Sequence, residues 1–333
     1  MKKRAAVILT AFVMLFLAGF LTAREARADG NRTVEIISVT ENSVTIRWEK
    51  PTYNIENCKT TVTGYKVYYG TSADKLQPYG KKLSASATQK KITGLTPKKK
   101  YYFQVKVGVR IVNESEGINT TDSTNYLETP MHAITLPGKI TTLQVTSTDA
   151  VKKQVVFKWS AVNPNYSDFG YQYYVKTAAG KKKSAARVTT NGIRLKNIAN
   201  TTYYLGKVRS FCKIENRDGV KYCYGKWSDW MPILSDPLVV AAGLPEGKLN
   251  VTWTEMKGVD GYDIYIFKEG WKKYYKAAYT AVGATSGTIT KVNGKAFNLA
   301  RNTSYEVSIV ARKNYNGKNY YSRGQNSTRL DIN

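Results

Sequence analysis

Histidine and cysteine are scarce in this chain of 333 residues, which has one His and three Cys. This shortage excludes most metal centres that are built on those side chains, and His132 is the single candidate for histidine-based catalysis. The sequence also lacks a Gly-x-Ser-x-Gly elbow, a His-Glu-x-x-His zinc motif and a phosphate-binding glycine loop. We therefore predict that the protein is not an enzyme and has neither a cofactor nor a metal site.

Acidic residues are scarce as well, since 24 Asp and Glu stand against 51 Lys and Arg and give a formal net charge of +27. A surplus of this size favours polyanionic partners, such as an anionic polymer or a glycan at a cell envelope. The lysine clusters are spread along the chain rather than gathered into one stripe with a known motif, so nucleic acid is not expected as a partner. Solubility alone explains the same surplus without any partner.

Long apolar runs are missing except at the amino terminus. Basic residues 2–4 precede a 19-residue apolar run, 5–23, and Ala26 and Ala28 supply the small residues of a cleavage site. This is the order of a secretory signal peptide. We therefore predict that residues 1–28 are removed and that the remaining chain, with a formal charge of +23, is secreted or associated with the cell surface. The alternative is an uncleaved anchor, because 19 apolar residues can just span a bilayer.

Helical periodicity is absent after residue 28, and alternation with a period of two takes its place. One pattern occurs three times: a Trp on an alternating apolar stretch, a Gly-Tyr pair, and a Tyr that opens another alternating stretch. Such alternation indicates strands with one buried face. We predict that the tryptophans and the final tyrosines of the three copies are core residues. They are Trp48, Trp159, Trp253, Tyr101, Tyr204 and Tyr305.

The repeated pattern resembles the fibronectin type III family. The resemblance consists of the Trp on a second strand, the Gly-Tyr pair in a third, and a Leu-x-Pro-x-Thr-x-Tyr entry to a sixth; only the first copy keeps the Pro, as Pro97. It implies an all-β protein of three tandem, immunoglobulin-like sandwiches of seven strands. We place the domains at residues 32–136, 138–235 and 236–333. Eight Asn-x-Ser/Thr triplets, which a eukaryotic secretory pathway would glycosylate, favour a bacterial origin.

Cys212 and Cys223 flank a strong turn signal, Asn-Arg-Asp-Gly at residues 216–219. Symmetrical pairing of two strands about that turn brings the two cysteines opposite each other, within reach of a disulfide bond. We predict this disulfide, because a secreted chain can form one. The alternative is two reduced thiols. Cys58 is then left without a partner in the sequence.

A segment of the second copy, Trp227-Ser-Asp-Trp230, resembles the Trp-Ser-x-Trp-Ser signature of cytokine-receptor fibronectin modules. The last Ser of that signature is replaced by Met231, so the motif is incomplete. The resemblance implies that the two Trp rings interleave with the basic side chains of Lys207 and Arg209 in a cation–π ladder. This role is structural.

Two long connections of the first domain are candidate recognition loops. Residues 51–62 contain Tyr53 and Asn54, and residues 111–138 contain carboxylates and no Lys or Arg. Immunoglobulin-like folds place recognition loops at this end, although tolerated insertions explain the same lengths. The candidate residues are Tyr53, Asn54, Glu114, Glu116 and Asp122.

Two functions are therefore compatible with the sequence. The first is a non-catalytic extracellular adhesion or scaffold protein that associates with anionic envelope or glycan surfaces through its charge. The second is a specific carbohydrate- or receptor-binding module that acts through the long loops of the first domain.

We predict cleavage after Ala28, because Ala26 and Ala28 follow the apolar run. The intact mass of the exported protein should equal that of a chain beginning at Asp29. An exported protein whose mass still includes residues 1–28 would contradict the prediction.

Overall fold

Apolar and polar side chains alternate along most of the chain, and the computed structural model is accordingly all-β. Its strands form three successive pairs of sheets, which confirms the predicted class of tandem β-sandwiches. The predicted signal peptide and Asn54 lie outside the described residues. The structure describes residues 33–53, 57–127, 129–162, 167–244 and 246–332.

The first sandwich consists of β1 (Val34–Val39), β2 (Ser43–Trp48), β3 (Lys59–Gly70), β4 (Gln77–Leu83), β5 (Gln89–Thr93), β6 (Lys100–Asn113), β7 (Ile118–Asn125) and β8 (Met131–Ile134). Its small sheet has the order β1-β2-β5, and its large sheet has the order β4-β3-β6-β7, in which β8 also pairs with β6. Neighbouring strands are antiparallel.

The second sandwich repeats this order with β9 (Leu143–Asp149), β10 (Gln154–Trp159), β11 (Phe169–Thr177), β12 (Lys182–Val188), β13 (Gly192–Leu195), β14 (Tyr204–Asn216), β15 (Gly219–Tyr224) and β16 (Met231–Ile233). The small sheet is β13-β10-β9. The large sheet is β12-β11-β14-β15, and β16 pairs with β14.

The third sandwich consists of β17 (Val239–Gly243), β18 (Leu249–Trp253), β19 (Gly261–Lys268), β20 (Tyr275–Thr280), β21 (Ser286–Ile289), β22 (Lys291–Val292), β23 (Lys295–Ala296), β24 (Thr303–Tyr315), β25 (Lys318–Tyr321) and β26 (Ser327–Ile332). The small sheet is β17-β18-β21, and the large sheet is β20-β19-β24-β25, in which β26 pairs with β24. The short strands β22 and β23 pair with each other.

A tryptophan of the second strand and a tyrosine of the third fill each sandwich between its sheets. The three tryptophans are 1%, 2% and 6% exposed in chain order, and each packs its ring against the tyrosine. Buried aromatic pairs of this kind bring large apolar areas to small cores. The pairs, with the distances between their ring centroids, are Trp48–Tyr65 at 5.3 Å, Trp159–Tyr171 at 5.5 Å and Trp253–Tyr262 at 5.3 Å.

Within the first three residues of the longest strand of each sandwich lies a buried tyrosine, whose hydroxyl accepts a hydrogen bond from the backbone five residues upstream. This tyrosine corner ties the preceding connection to the strand, so the strand enters the sheet in a defined register. The donors and acceptors are Thr96 N to Tyr101 Oη at 2.9 Å, Ala199 N to Tyr204 Oη at 3.0 Å and Ala300 N to Tyr305 Oη at 2.8 Å.

The interpretation of residues 111–138 as a long connection is wrong, because most of this stretch is strand. The chain continues in β6 to Asn113, turns, and returns as β7, which pairs with β6 over its whole length. The sequence of β7, INTTDSTN, shows no apolar alternation because this edge strand buries none of its side chains. Likewise β3 already begins at Lys59, inside the other predicted connection.

Contacts divide the chain into two compact units. One unit comprises Met1–Pro137 and Cys212–Tyr224, and the other comprises Gly138–Phe211 and Gly225–Asn333. The predicted domain boundaries stay predictions. Both fall between strands, since β8 ends before residue 136 and β16 ends before residue 235.

Within the first unit, the turn between β14 and β15 contacts the first strand of the chain. The backbone N of Arg217 donates to Glu35 Oε1 at 2.9 Å, and the Arg217 side chain forms ion pairs with Glu35 and Glu49. Burial alone would raise the pKa of Glu35, but hydrogen bonds from Arg47 and Arg217 outweigh it and lower that pKa. Glu35 therefore remains ionised and holds both arginines.

We predict that Trp253→Ala unfolds the third sandwich selectively. The substitution removes a buried ring and should lower the free energy of unfolding by about 3–5 kcal/mol. Hydrogen exchange on the full chain should show loss of protection in residues 239–332. Val240→Ala is the matched control, because this side chain is 64% exposed in the same sandwich. Unchanged protection, or equal loss in all three sandwiches, would show that Trp253 does not stabilise its own core.

Candidate functional site

The outer faces of the three large sheets carry aromatic and basic side chains at matching positions. Since successive residues of a strand point to opposite faces, the third residue after the buried tyrosine of each third strand faces outward. This residue is a tyrosine in every sandwich. The three are Tyr68, Tyr174 and Tyr265.

The second sandwich shows the most ordered of these faces, where basic side chains alternate with indole rings. Lys207 Nζ lies 4.5 Å from the ring centroids of both Trp227 and Trp230. The guanidinium carbon of Arg209 lies 4.5 Å from Trp227, and Lys176 Nζ lies 4.5 Å from Trp230. The four residues of the predicted ladder are thus brought together, and Lys176 adds a fifth layer.

Backbone pairing positions the two tryptophans on this face. Ser228 is 6% exposed, and its N donates to Val208 O at 2.8 Å while its Oγ accepts from Val208 N at 2.9 Å. The serine hydroxyl therefore stands in for a backbone carbonyl, and the tryptophans on either side of the serine are held to β14. Met231, which replaces the last serine of the signature, is buried and pairs with Gly206.

Two further contacts support the ladder, one to a cation and one to a ring. Arg209 Nε donates to Gln172 Oε1 at 2.8 Å, and the ring of Tyr174 meets Trp230 edge-on at 6.0 Å. Burial, and then the charges of Arg209 and Lys176, lower the pKa of Lys207. The sequence reasoning missed Lys176, Gln172 and Tyr174. Alternation along β11 was the available signal, because all three face outward on that strand.

The other two sandwiches also place cations over tyrosine rings. In the first, Lys106 Nζ lies 5.1 Å from the ring centroid of Tyr68 and Lys100 Nζ lies 5.0 Å from that of Tyr102. In the third, the Arg312 guanidinium lies 4.3 Å from the ring centroid of Tyr279. Long basic side chains that stack on rings lose freedom but keep their charged ends at the surface.

The only histidine belongs to the same outer surface. The ring of His132 lies 5.8 Å from that of Tyr102, and burial, followed by the charge of Lys100, lowers the pKa of His132. Among the described residues, no three His, Cys, Asp or Glu side chains form a group that could hold a metal ion. No helix in the same ranges is long and apolar enough to cross a membrane.

The candidate recognition residues of the first domain do not converge on one point. Glu114 and Glu116 are exposed at the turn between β6 and β7, where Asn113 Oδ1 accepts from Glu116 N at 3.3 Å. Asp122 lies on β7, four residues after the strand begins at the turn. At 3.3 Å per residue, Asp122 is therefore about 13 Å from the turn end of the strand. Tyr53 lies before β3, where its carbonyl accepts from the Thr60 hydroxyl at 3.0 Å.

The two cysteines of the predicted disulfide are adjacent, and no bond joins them in the structure. A hydrogen bond from Cys212 lowers the pKa of Cys223 to about 7, and Cys223 Sγ also accepts from Val39 N at 3.3 Å. The bridge and the alternative of two reduced thiols both stay predictions. Cys58 is half-buried ahead of β3.

Comparison with known proteins assigns the family of the first sandwich. The family described as "Fibronectin type III domain" matches residues 32–121. The same strand order and the same tyrosine corner recur in the other two sandwiches, so all three sandwiches share one architecture. No curated protein sequence matches the chain.

Two solved structures from chicken resemble the chain. The structure of the FN1–FN3 domains of CNTN1 is 17% identical in sequence to this chain. The match covers 90% of this chain and 97% of the CNTN1 chain, with a TM-score of 0.29. A segment of two fibronectin type III domains from tenascin is 13% identical in sequence to this chain. The match covers 58% of this chain and 99% of the tenascin chain, with a TM-score of 0.27. TM-scores this low do not establish a common arrangement of domains.

We predict that Lys207→Met lowers the free energy of unfolding of the second sandwich by about 1–2 kcal/mol, because the cation–π contacts with Tyr174, Trp227 and Trp230 are lost while the apolar stem remains. Lys207→Arg should restore most of the loss, and the exposed Lys196→Met serves as the control. Chemical denaturation followed by tryptophan fluorescence measures the change. A gain in stability for Lys207→Met would show that repulsion from Arg209 and Lys176 outweighs the ring contacts.

Proposed function

We propose that this chain is a non-catalytic extracellular adhesion or scaffold protein that associates with anionic polymers or glycans of a cell envelope. Fibronectin type III domains commonly serve as extracellular adhesion or scaffold modules, which supports the general class. The formal charge of +27 supports the finer assignment, because such a surplus attracts polyanions.

The observation that carries the proposal is the stacking of cations on rings over all three sandwiches. A lysine such as Lys106, which lies over Tyr68, holds its charge at a defined place on the surface. Each contact of this kind with a polymer is weak, at most about 1 kcal/mol at an exposed position. Many such contacts along a repeating polyanion add up, and the repeating structure of the protein matches a repeating partner.

The assignment as non-catalytic is supported by the lack of motifs in the sequence and by the surroundings of the single histidine. His132 lies beside Tyr102 and Lys100. These neighbours are typical of side chains that pack at a surface, whereas a catalytic histidine acts as a base next to a nucleophile. No cofactor is part of the proposal.

We predict that retention of the mature chain on beads carrying polyglutamate or chondroitin sulfate falls about tenfold or more between ~0.02 M and ~0.5 M NaCl, because salt screens exposed charges. Lys106→Ala alone should change retention only slightly, since one exposed contact contributes at most about 1 kcal/mol. Replacing both carboxylates of the β6–β7 turn, Glu114→Ala with Glu116→Ala, should leave retention intact.

The turn variant separates the proposal from the second function that the sequence allows. Retention that survives high salt and disappears with the Glu114→Ala/Glu116→Ala variant would refute the electrostatic proposal. Such a result would identify the β6–β7 turn of the first sandwich as a specific recognition element. Circular dichroism of each variant serves as the control for folding.

A further inference from the structure

The second and third sandwiches can be aligned through the pairing of their last strands. Met231 of β16 pairs with Gly206, the second residue after its corner tyrosine. Thr328 of β26 pairs with Val307, again the second residue after the corner tyrosine. Met231 and Thr328 therefore occupy the same place in their sheets.

The positions that precede these two residues in the chain correspond in the same way, and they show that the third sandwich lacks the indole rings of the ladder. One residue earlier, Trp230 corresponds to Ser327. Four residues earlier, Trp227 corresponds to Gly324. Lys207, which separates the two rings of the ladder, corresponds to Ser308. The third sandwich thus has small residues at the positions where the second is covered by indole rings.

An open groove of about 590 Å³ lies on this part of the third sandwich. Its volume is within the range of about 300–1,000 Å³ for small-molecule sites. Tyr265, Tyr274 and Tyr321 contribute aromatic rings to it, and the last two are 38% and 48% exposed. The polar side chains that line it include Asp263, Lys276, Ser308 and Arg323.

A buried carboxylate is the main polar group of the groove. Asp263 is 4% exposed, and Lys276 Nζ lies 2.9 Å from its Oδ1. That oxygen is closed to solvent and has Lys276 as its partner. An ammonium group carries three donors, so Lys276, held in place by the buried carboxylate, can still donate a hydrogen bond to a ligand oxygen.

The aromatic side of the groove is held in place before any ligand arrives. The hydroxyl of Tyr274 donates to a carboxylate oxygen of Glu306, and its ring packs 5.4 Å from that of Phe267. Burial, and then the bond to Glu306, raise the pKa of Tyr274 to about 12, so the hydroxyl stays protonated. A fixed ring costs little further entropy on binding.

The backbone that borders the groove is equally fixed. The carboxylate of Asp236 is fully buried and accepts from Gly324 N at 2.7 Å and from Gln325 N at 2.8 Å. Gly324 has a φ of +63°, and a Cβ there would lie 2.9 Å from both Ser308 Oγ and Val310 Cγ2. This position therefore takes glycine, because a side chain would collide with two residues that line the groove.

The charges that line the groove nearly balance. Asp263 and Lys276 neutralise each other, so Arg323 is the only further charge among the lining residues and no strongly charged ligand is required. The polar lining disfavours a purely apolar ligand. A neutral ring with an apolar face and several hydroxyls suits both the tyrosine rings and the ammonium group of Lys276.

We infer that this groove of the third sandwich is a binding site for a neutral saccharide, in which the tyrosine rings stack on the sugar and Lys276, held by Asp263, donates a hydrogen bond to a hydroxyl oxygen. This site is separate from the proposed polyanion surface, which depends on distributed positive charge. Either function can therefore fail without the other.

The test titrates the mature full chain with four neutral oligosaccharides, namely cellotetraose, chitotetraose, maltotetraose and mannotetraose, and follows binding by calorimetry and saturation-transfer NMR. At least one should bind, with an affinity that changes less than about twofold between ~0.02 M and ~0.5 M NaCl, because the ligand is uncharged. Tyr321→Ala should weaken that binding about tenfold or more. Tyr279→Ala is the matched control, since Tyr279 is 56% exposed in the same sandwich and does not line the groove.

A second variant blocks the groove and leaves all of its lining side chains unchanged, although the hydrogen bond between Ser327 and Tyr274 is lost. Ser327→Trp places an indole where Trp230 lies in the second sandwich, and it should abolish saccharide binding while retention on polyglutamate beads stays unchanged. Ser327 is exposed, so the folded state accepts the larger side chain. The inference is overturned if none of the four saccharides binds the unmodified chain, or if Ser327→Trp, shown to be folded by circular dichroism, binds as the unmodified chain does.

Discussion

The hydrogen bond that each corner tyrosine accepts from the backbone five residues upstream is the constraint on which the rest of each sandwich depends. It ties the connection before the longest strand to the first residues of that strand. Because side chains alternate between faces, a shift by one residue would expose the whole buried row. The buried ring and its satisfied hydroxyl together make such a shift costly. The register of the outer face follows directly from this anchor.

One register supports different outer faces in the second and third sandwiches. In the second, Trp227 and Trp230 cover the sheet and hold Lys207 between them. In the third, Gly324 and Ser327 stand at those positions and a groove remains. The core is the same in both, because each Trp–Tyr pair lies between the two sheets, with the tyrosine facing inward from the large sheet and the tryptophan from the small one. The fold therefore permits the outer surface to change without loss of the core.

No arrangement of the side chains can neutralise the surplus of positive charge. Even if each of the 24 acidic side chains paired with one cation, a surplus of 27 cations would remain. Stacking on rings is the alternative that the structure uses repeatedly, and each contact contributes about 0.5–2 kcal/mol according to its burial. Exposed ion pairs contribute less, at most about 1 kcal/mol. The aromatic residues thus organise a positive surface that carboxylates are too few to neutralise.

The fold class and the core could be predicted from the sequence, because both depend on local alternation and on a pattern that occurs three times. Trp48, Trp159 and Trp253 lie between the sheets where alternation placed them. The ladder of Lys207, Arg209, Trp227 and Trp230 could also be anticipated, but from a resemblance and from the alternation along one strand rather than from any distance.

Three features were decided by the tertiary structure alone. The polar segment Ile118–Asn125 is a strand because β6 pairs with it, and an edge strand that buries no side chain has no apolar period to recognise. Asp263 is an unremarkable residue in the sequence, and its burial depends on strands that surround it in space. The groove exists because the pairing of β26 with β24 places Gly324 and Ser327 opposite Ser308 and its neighbours. The sequence alone determined which residues turn inward, because this depends on neighbours along the chain. Only the tertiary structure determined what the outward residues contact, because those partners come from distant strands whose pairing no local pattern encodes.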